Sequence, residues 1–143
     1  MKLNTAVSEN MTRDVYTVKV NNSLAQAKDK CDECRVRHLP VVSGQKLVGI
    51  LSLTDIMRLS FGDTYGRNED DVDAAMYDML TIGQVMKVHP KTVSVNDRVK
   101  DVVDILVKEE FHALPVVDGE DLAGIITTTD VIVYLAYGND FND

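Results

Sequence analysis

Ser52 and Asp55 stand three residues apart in the stretch SLTD, and Thr127 and Asp130 stand three apart in TTTD. A hydroxyl followed three positions later by a carboxylate suits two kinds of chemistry. In one, the hydroxyl accepts a hydrogen bond from a helix N–H while the carboxylate reaches back to the N-cap amide, a reciprocal cap that opens a helix. In the other, the carboxylate accepts charge-assisted hydrogen bonds from both hydroxyls of a vicinal diol, and the hydroxyls with nearby helix N–H groups hold phosphate. Thr54 and Thr129 add one more hydroxyl beside each aspartate. The residues alone leave both readings open.

A phosphate needs a cation, and this chain carries a formal net charge of −8. Arg35, Arg37 and His38 precede the stretch LPVV, and an arginine fork donates two parallel hydrogen bonds to phosphate. Phe111, His112 and Ala113 stand at the later LPVV, so only His112 is basic there. Equal anion binding at the two places is therefore not expected; Arg37 and His38 are the stronger candidates, with His112 as a second contact. Arg35 reads as a surface charge, and His89, in a turn before Pro90, is assigned no role.

Cys31 and Cys34 form a C-x-x-C. Structural zinc takes four ligands, and no second cysteine pair exists. The pair falls late in a predicted helix, whereas thiolates are stabilised at helix starts. A buried, inert Cys31 is the expected outcome, with no metal site. The methionines read as core filling.

The elements that position these residues come in duplicate. One offset of 75 residues relates Met11 to Met86, Thr17 to Thr92, Pro40 to Pro115, Gly44 to Gly119, Gly49 to Gly124 and Asp55 to Asp130, with no gap. Each copy holds a β-branched run, TVKV or TVSV. A polar residue suited to cap a helix follows, Asn22 or Asp97. Next comes an apolar stripe, Leu24, Ala27 and Cys31 or Val99, Val102, Val103 and Leu106, at helical spacing. Two strands around Ser-Gly or Asp-Gly read as a hairpin, and a last helix starts at about Ile56 or Val131. The order is strand, helix, strand, strand, helix, an α+β fold. The organisation is a first unit over 1–60, a linker over 61–81, a second unit over 82–137 and a tail over 138–143. Val72, Met76, Met79 and Leu80 predict a short helix in the linker that packs on the body. A unit of about fifty residues buries little surface alone, so duplication itself favours a shared core.

With HLPVVSGQKLVGILSLTD and HALPVVDGEDLAGIITTTD in the same order twice, the chain resembles a tandem pair of cystathionine-β-synthase (CBS) domains, a Bateman module. The resemblance covers nearly everything except linker and tail. It implies two CBS units related by a pseudo-twofold axis, with clefts between them that take an adenine nucleotide such as AMP, ADP, ATP or S-adenosylmethionine. It implies a regulatory sensor that acts on an effector protein and forms a homodimer. By resemblance Asp55 and Asp130 hold ribose, and Ser52, Thr54, Thr127 and Thr129 contact phosphate or ribose. Thr17 and Thr92 lie beside the nucleotide, and the basic positions Arg37, His38 and His112 face phosphate.

An acidic chain with few aromatics and no Trp is a poor partner for nucleic acid or anionic membrane. The polar N-terminus holds no apolar run of signal-peptide length, and no stretch reaches the length of a membrane span. A cytoplasmic protein with reduced cysteines is expected. No nucleophile–base set, Walker loop or metal-ligand set accompanies the aspartates, so an enzyme is not expected and no cofactor is obligatory. The alternative is an interaction or dimerisation module with vestigial nucleotide clefts.

Overall fold

A computed structural model describes residues 3–60, 77–109 and 111–138. Most of the expected linker (61–76) and of the tail (139–143) lies outside the described residues. The chain forms two compact units, and they do not coincide with the sequence repeats: one is Tyr16–His89, the other joins residues 1–15 to Pro90 and beyond. Each unit thus holds the body of one repeat and the N-terminal arm of the other.

The unit Tyr16–His89 contains β1 (Val18–Lys19), α1 (Leu24–Cys34), β2 (His38–Ser43), β3 (Lys46–Ser52), α2 (Leu53–Ser60), a four-residue α3 (Ile82–Val85) and β4 (Lys87–Val88). β1 lies parallel to β2, and β2 runs antiparallel to β3 with one irregularity between Val41 and Val42. β4 pairs antiparallel with β3, setting Lys87 opposite Ile50. Two residues, Gly44 and Gln45, close the β2–β3 hairpin, and Gly44 has φ +65. Glycine takes that positive φ at no steric cost, which a tight hairpin needs at its first central position.

Asn22 does not cap α1. Its side chain accepts from the Lys19 N–H at 3.0 Å and shapes the preceding turn, while Ser23 makes the cap, a closed box with Gln26. The stripe faces inward as expected: Leu24, Ala27 and Cys31 are buried with Leu39, Val41, Leu51, Ile56 and Ile82. Val72 and Met76 lie outside the described residues; among the described residues of the former linker, Met79 is 80% exposed rather than packed, and Tyr77 is the buried one. Its hydroxyl can donate to the Ile56 carbonyl at 3.5 Å, giving the larger ring both an apolar contact and a polar outlet.

The other unit contains α4 (Val7–Asn10), β5 (Val93–Ser94), α5 (Val99–Glu109), β6 (Ala113–Asp118), β7 (Asp121–Thr127) and α6 (Thr128–Tyr137). β5 is parallel to β6, and β6 is antiparallel to β7 with its irregularity between Val116 and Val117, the same place one repeat later. Asp97 again bonds backward, from the Ser94 N–H to its Oδ2 at 2.9 Å, so it too is a turn residue rather than a cap. Val102, Leu114, Val116 and Ile126 form the core with Val7 and Met11 from the N-terminal arm. In this unit the arm bridges Thr12 to Ile125.

Both closing helices start three residues earlier than the apolar pattern indicated, at Leu53 and Thr128. The hydroxyl cap, not the first apolar residue, sets the start.

Candidate functional site

In the unit Tyr16–His89 the chain geometry gathers several of the expected residues at one end of the β2–β3 hairpin. His38 opens β2 and pairs with Ser52 at the end of β3. The Arg37 carbonyl accepts the Leu53 N–H at 2.8 Å, which ties the basic segment to the first residue of α2. Ser52 Oγ accepts the Asp55 N–H at 3.0 Å. Thr54 lies between them and is exposed, as is Arg37. Thr17 immediately precedes β1, and its carbonyl accepts from Lys30 Nζ at 2.8 Å.

The Asp55 carboxylate is mostly enclosed, with its side chain 14% exposed. Oδ1 lies 3.7 Å from Arg58 Nη1, whose own side chain is 74% exposed. Oδ2 is buried and has no hydrogen-bond partner among the described residues. A buried carboxylate oxygen is costly to leave unpaired. Such an atom is where a donor from outside the chain gains most.

The second copy repeats the backbone and changes the side-chain bonding. The Thr128 N–H donates to the His112 carbonyl at 3.0 Å, matching Leu53 and Arg37. Thr127 pairs with Ala113 across the hairpin. Thr127 Oγ1 accepts the Asp130 N–H at 3.1 Å, and Asp130 Oδ2 accepts the Thr127 N–H at 2.9 Å. The reciprocal cap is thus complete here, whereas in the first copy only the Ser52 half forms. Thr12 Oγ1 also donates to Asp130, at 3.2 Å from Oδ1 and 3.3 Å from Oδ2. Thr129 and His112 are exposed, and Thr92 precedes β5 half-buried.

Thr12 and Lys87 were missed by sequence reasoning, although they are partners at the 75-residue offset. The signal was available: each follows the repeated methionine, Met11 or Met86. Close approach confirms their common seat. A Cβ on Gly124 would stand 2.6 Å from the Thr12 carbonyl oxygen, and one on Gly49 would stand 2.9 Å from that of Lys87. Glycine at both positions lets the N-terminal arm lie on the hairpin.

The cysteine pair is poorly suited to chemistry. Cys31 is buried in the core, and burial pushes its thiol up from 9.0 to about 11, with smaller contributions from Asp32 and Cys34. Cys34 is half-buried in the last turn of α1. Among the described residues no three His, Cys, Asp or Glu side chains converge as a metal group, and no helix is long and apolar enough to cross a membrane.

A family model described as CBS domain matches residues 6–62 and 82–137. Protein MJ1225 of Methanocaldococcus jannaschii is 31% identical over 134 residues, covering 93% of this chain and 48% of that protein. Its crystal structure, described as that of a proposed archaeal homologue of g-AMPK, superposes with a TM-score of 0.82 at 29% identity, over 94% of this chain and 49% of that one. The CBS-pair protein CBSX2 from Arabidopsis thaliana gives a TM-score of 0.80 at 28% identity, over 93% and 95% of the two chains. A crystal structure of CBSX2 in complex with AMP gives 0.76 at 26%, over 92% and 96%. This chain spans less than half the length of the curated relatives that it matches first.

Proposed function

Because the chain belongs to the CBS domain family, we propose that it is a regulatory ligand-sensing module that binds an adenine nucleotide through a repeat aspartate. The observation that carries this reading is Asp55 Oδ2, buried and unpartnered among the described residues beside the Ser52 cap and the Arg37–His38 segment. A ribose diol supplies the donors that this carboxylate lacks. Asp130 is the corresponding carboxylate of the second repeat. Ser52, Thr54, Thr127 and Thr129 serve phosphate or ribose; Thr17 and Thr92 flank the base or sugar; Arg37, His38 and His112 offset phosphate charge. The AMP complex of CBSX2 supports the choice of ligand class. The module works by binding, with no catalysis and no obligatory cofactor. Its output is a shift between two conformations that differ in nucleotide affinity, read by an effector protein.

A thermal-shift series with AMP, ADP, ATP, NAD and S-adenosylmethionine tests the reading. A ligand at a hundred times its Kd stabilises the folded state by about 2.7 kcal/mol, which raises Tm by several degrees. No response to any of the five at millimolar concentration sinks it.

A second reading, an interaction module whose clefts are vestigial, is favoured by one observation. Ile132 and Leu135 on α6 are 63% and 47% exposed, and Met57, one repeat earlier on α2, is 44% exposed. Apolar side chains left out on matching helices suit a second copy of the chain or an effector. Light scattering with and without AMP separates the readings. A dimer indifferent to nucleotide, in a chain that shows no thermal shift, supports the second.

A further inference from the structure

The two repeat aspartates share one backbone setting and differ in what reaches them. Thr12 lies opposite Ile125 and Lys87 opposite Ile50, antiparallel in both cases. Ile125 and Ile50 are themselves partners at the 75-residue offset, as are Asp130 and Asp55. The methionine before each residue meets the same glycine: Met11 Sδ lies 2.8 Å from a Cβ on Gly124, and Met86 Sδ lies 2.6 Å from a Cβ on Gly49. Lys87 therefore leaves the backbone where Thr12 leaves it. Thr12 turns its hydroxyl onto both oxygens of Asp130. Asp130 also accepts from Thr127, so both its oxygens are engaged within the chain.

Lysine cannot reproduce that contact in the same way. Its long stem carries the ammonium past the position of a threonine hydroxyl. No ion pair joins Lys87 to Asp55 among the described residues, and Lys87 is exposed. The result is a carboxylate with a buried open oxygen, and a cation seated on the strand opposite Ile50 that is not paired with it. Arg37 and His38 belong to the same unit. A ligand carrying a diol at one end and a phosphate at the other fits that pair of needs.

Resting on the nucleotide-sensing reading, we propose that the chain takes one nucleotide, at Asp55, with Lys87 as a phosphate contact. Thr12 closes the Asp130 position from within. Position 12 or 87 is thus the switch that decides whether a repeat binds: threonine closes it, lysine opens it and selects for phosphate.

Isothermal titration of the full chain with AMP and with adenosine tests this. The unaltered chain is expected to bind one equivalent of AMP. Lys87→Ala is expected to weaken AMP about tenfold, the scale of one charged hydrogen bond, and to leave adenosine within about twofold, since the lost contact is to phosphate. Lys87→Thr is expected to weaken both ligands, because the new hydroxyl occupies the Asp55 carboxylate. Thr12→Lys gives the second repeat the pairing of the first and is expected to raise the stoichiometry to two. Both positions are exposed, so folding is not at stake. Two equivalents in the unaltered chain, or AMP binding that Lys87→Ala and Lys87→Thr leave unchanged, overturns the proposal while nucleotide sensing stands. If no adenine nucleotide binds the unaltered chain, the sensing reading fails, and this proposal falls with it.

Discussion

The unit Tyr16–His89 and the unit built on residues 90–138 are two solutions to one backbone problem. Each lays a short parallel strand beside a hairpin, interrupts the hairpin at the same place, and turns it with a glycine at φ +65 or +67. They part at the side chains around the aspartate. One carboxylate is satisfied by Thr127 and Thr12; the other keeps a buried oxygen open. Packing fixes the backbone in both copies, because a shifted register would turn the apolar faces to solvent. The polar rim is under no such constraint. A single residue on the N-terminal arm can change it without disturbing the core.

The largest effects test whether the scaffolds are in fact equivalent. Leu39 and Leu114 occupy the same place at the offset and are 0% and 1% exposed. Leu39→Ala and Leu114→Ala are each expected to cost about 2–5 kcal/mol, the range for a large side chain removed from a packed core. Urea denaturation followed by circular dichroism measures both. Similar losses keep the comparison; a negligible loss at one site breaks it.

Next in size are the glycines under the N-terminal arm. Gly124→Ala drives a Cβ to 2.6 Å from the Thr12 carbonyl oxygen, a backbone atom that cannot swing away. Gly49→Ala meets Met86 Sδ at 2.6 Å and the Lys87 carbonyl at 2.9 Å, and the methionine can yield. Both should destabilise, by roughly 1–3 kcal/mol as for other overpacked sites, with Gly124→Ala the worse. The reverse order in a denaturation series would place the tighter arm on the first repeat.

Much of this was legible in the sequence. The 75-residue offset, the stripe Leu24, Ala27 and Cys31, and the turn glycines carry their geometry in their spacing, because apolar periodicity and positive φ are local properties. The caps were harder. Asn22 and Asp97 have the right chemistry for a cap but spend it on the turn before the helix, since Asx side chains bond to nearby backbone in several ways. Ser23, one residue on, had the Gln26 partner that settles the matter. The arms were not legible. Nothing in Val7 or Met11 says that it packs with Leu114 rather than Leu39, because pairing between distant segments is decided by tertiary contacts. For the same reason Thr12 and Lys87 drew no notice: what matters is what each meets across the hairpin, in the case of Thr12 an aspartate 118 positions away.

The caps give a smaller and sharper test. Thr127→Ala removes a hydroxyl that accepts the Asp130 N–H, in a box closed from both sides. Ser52→Ala removes only the single bond to the Asp55 N–H. Each is expected to cost about 1 kcal/mol, and Thr127→Ala the more, because it also loosens the carboxylate that bonds back. Equal losses, measured by thermal unfolding of the two variants in parallel, would mean that the closed box adds nothing.

The smallest effect at neutral pH concerns Cys31, where the second repeat has Leu106. Burial raises the Cys31 thiol from 9.0 to about 11 in the folded chain. The folded state therefore holds its proton more tightly than the unfolded state does. The resulting stability is fully present below about pH 9 and is lost as pH rises towards about 11, the window set by the two values. Other groups titrate there as well, so the measurement is a difference. Between pH 8 and pH 10 the unaltered chain should lose more unfolding free energy than Cys31→Val, which has no thiol to ionise. Alkylation at pH 8 should follow the same asymmetry, modifying half-buried Cys34 while Cys31 stays protected until the chain unfolds. A Cys31 that labels as fast as Cys34 in the folded protein would show that the first repeat opens its core helix without global unfolding.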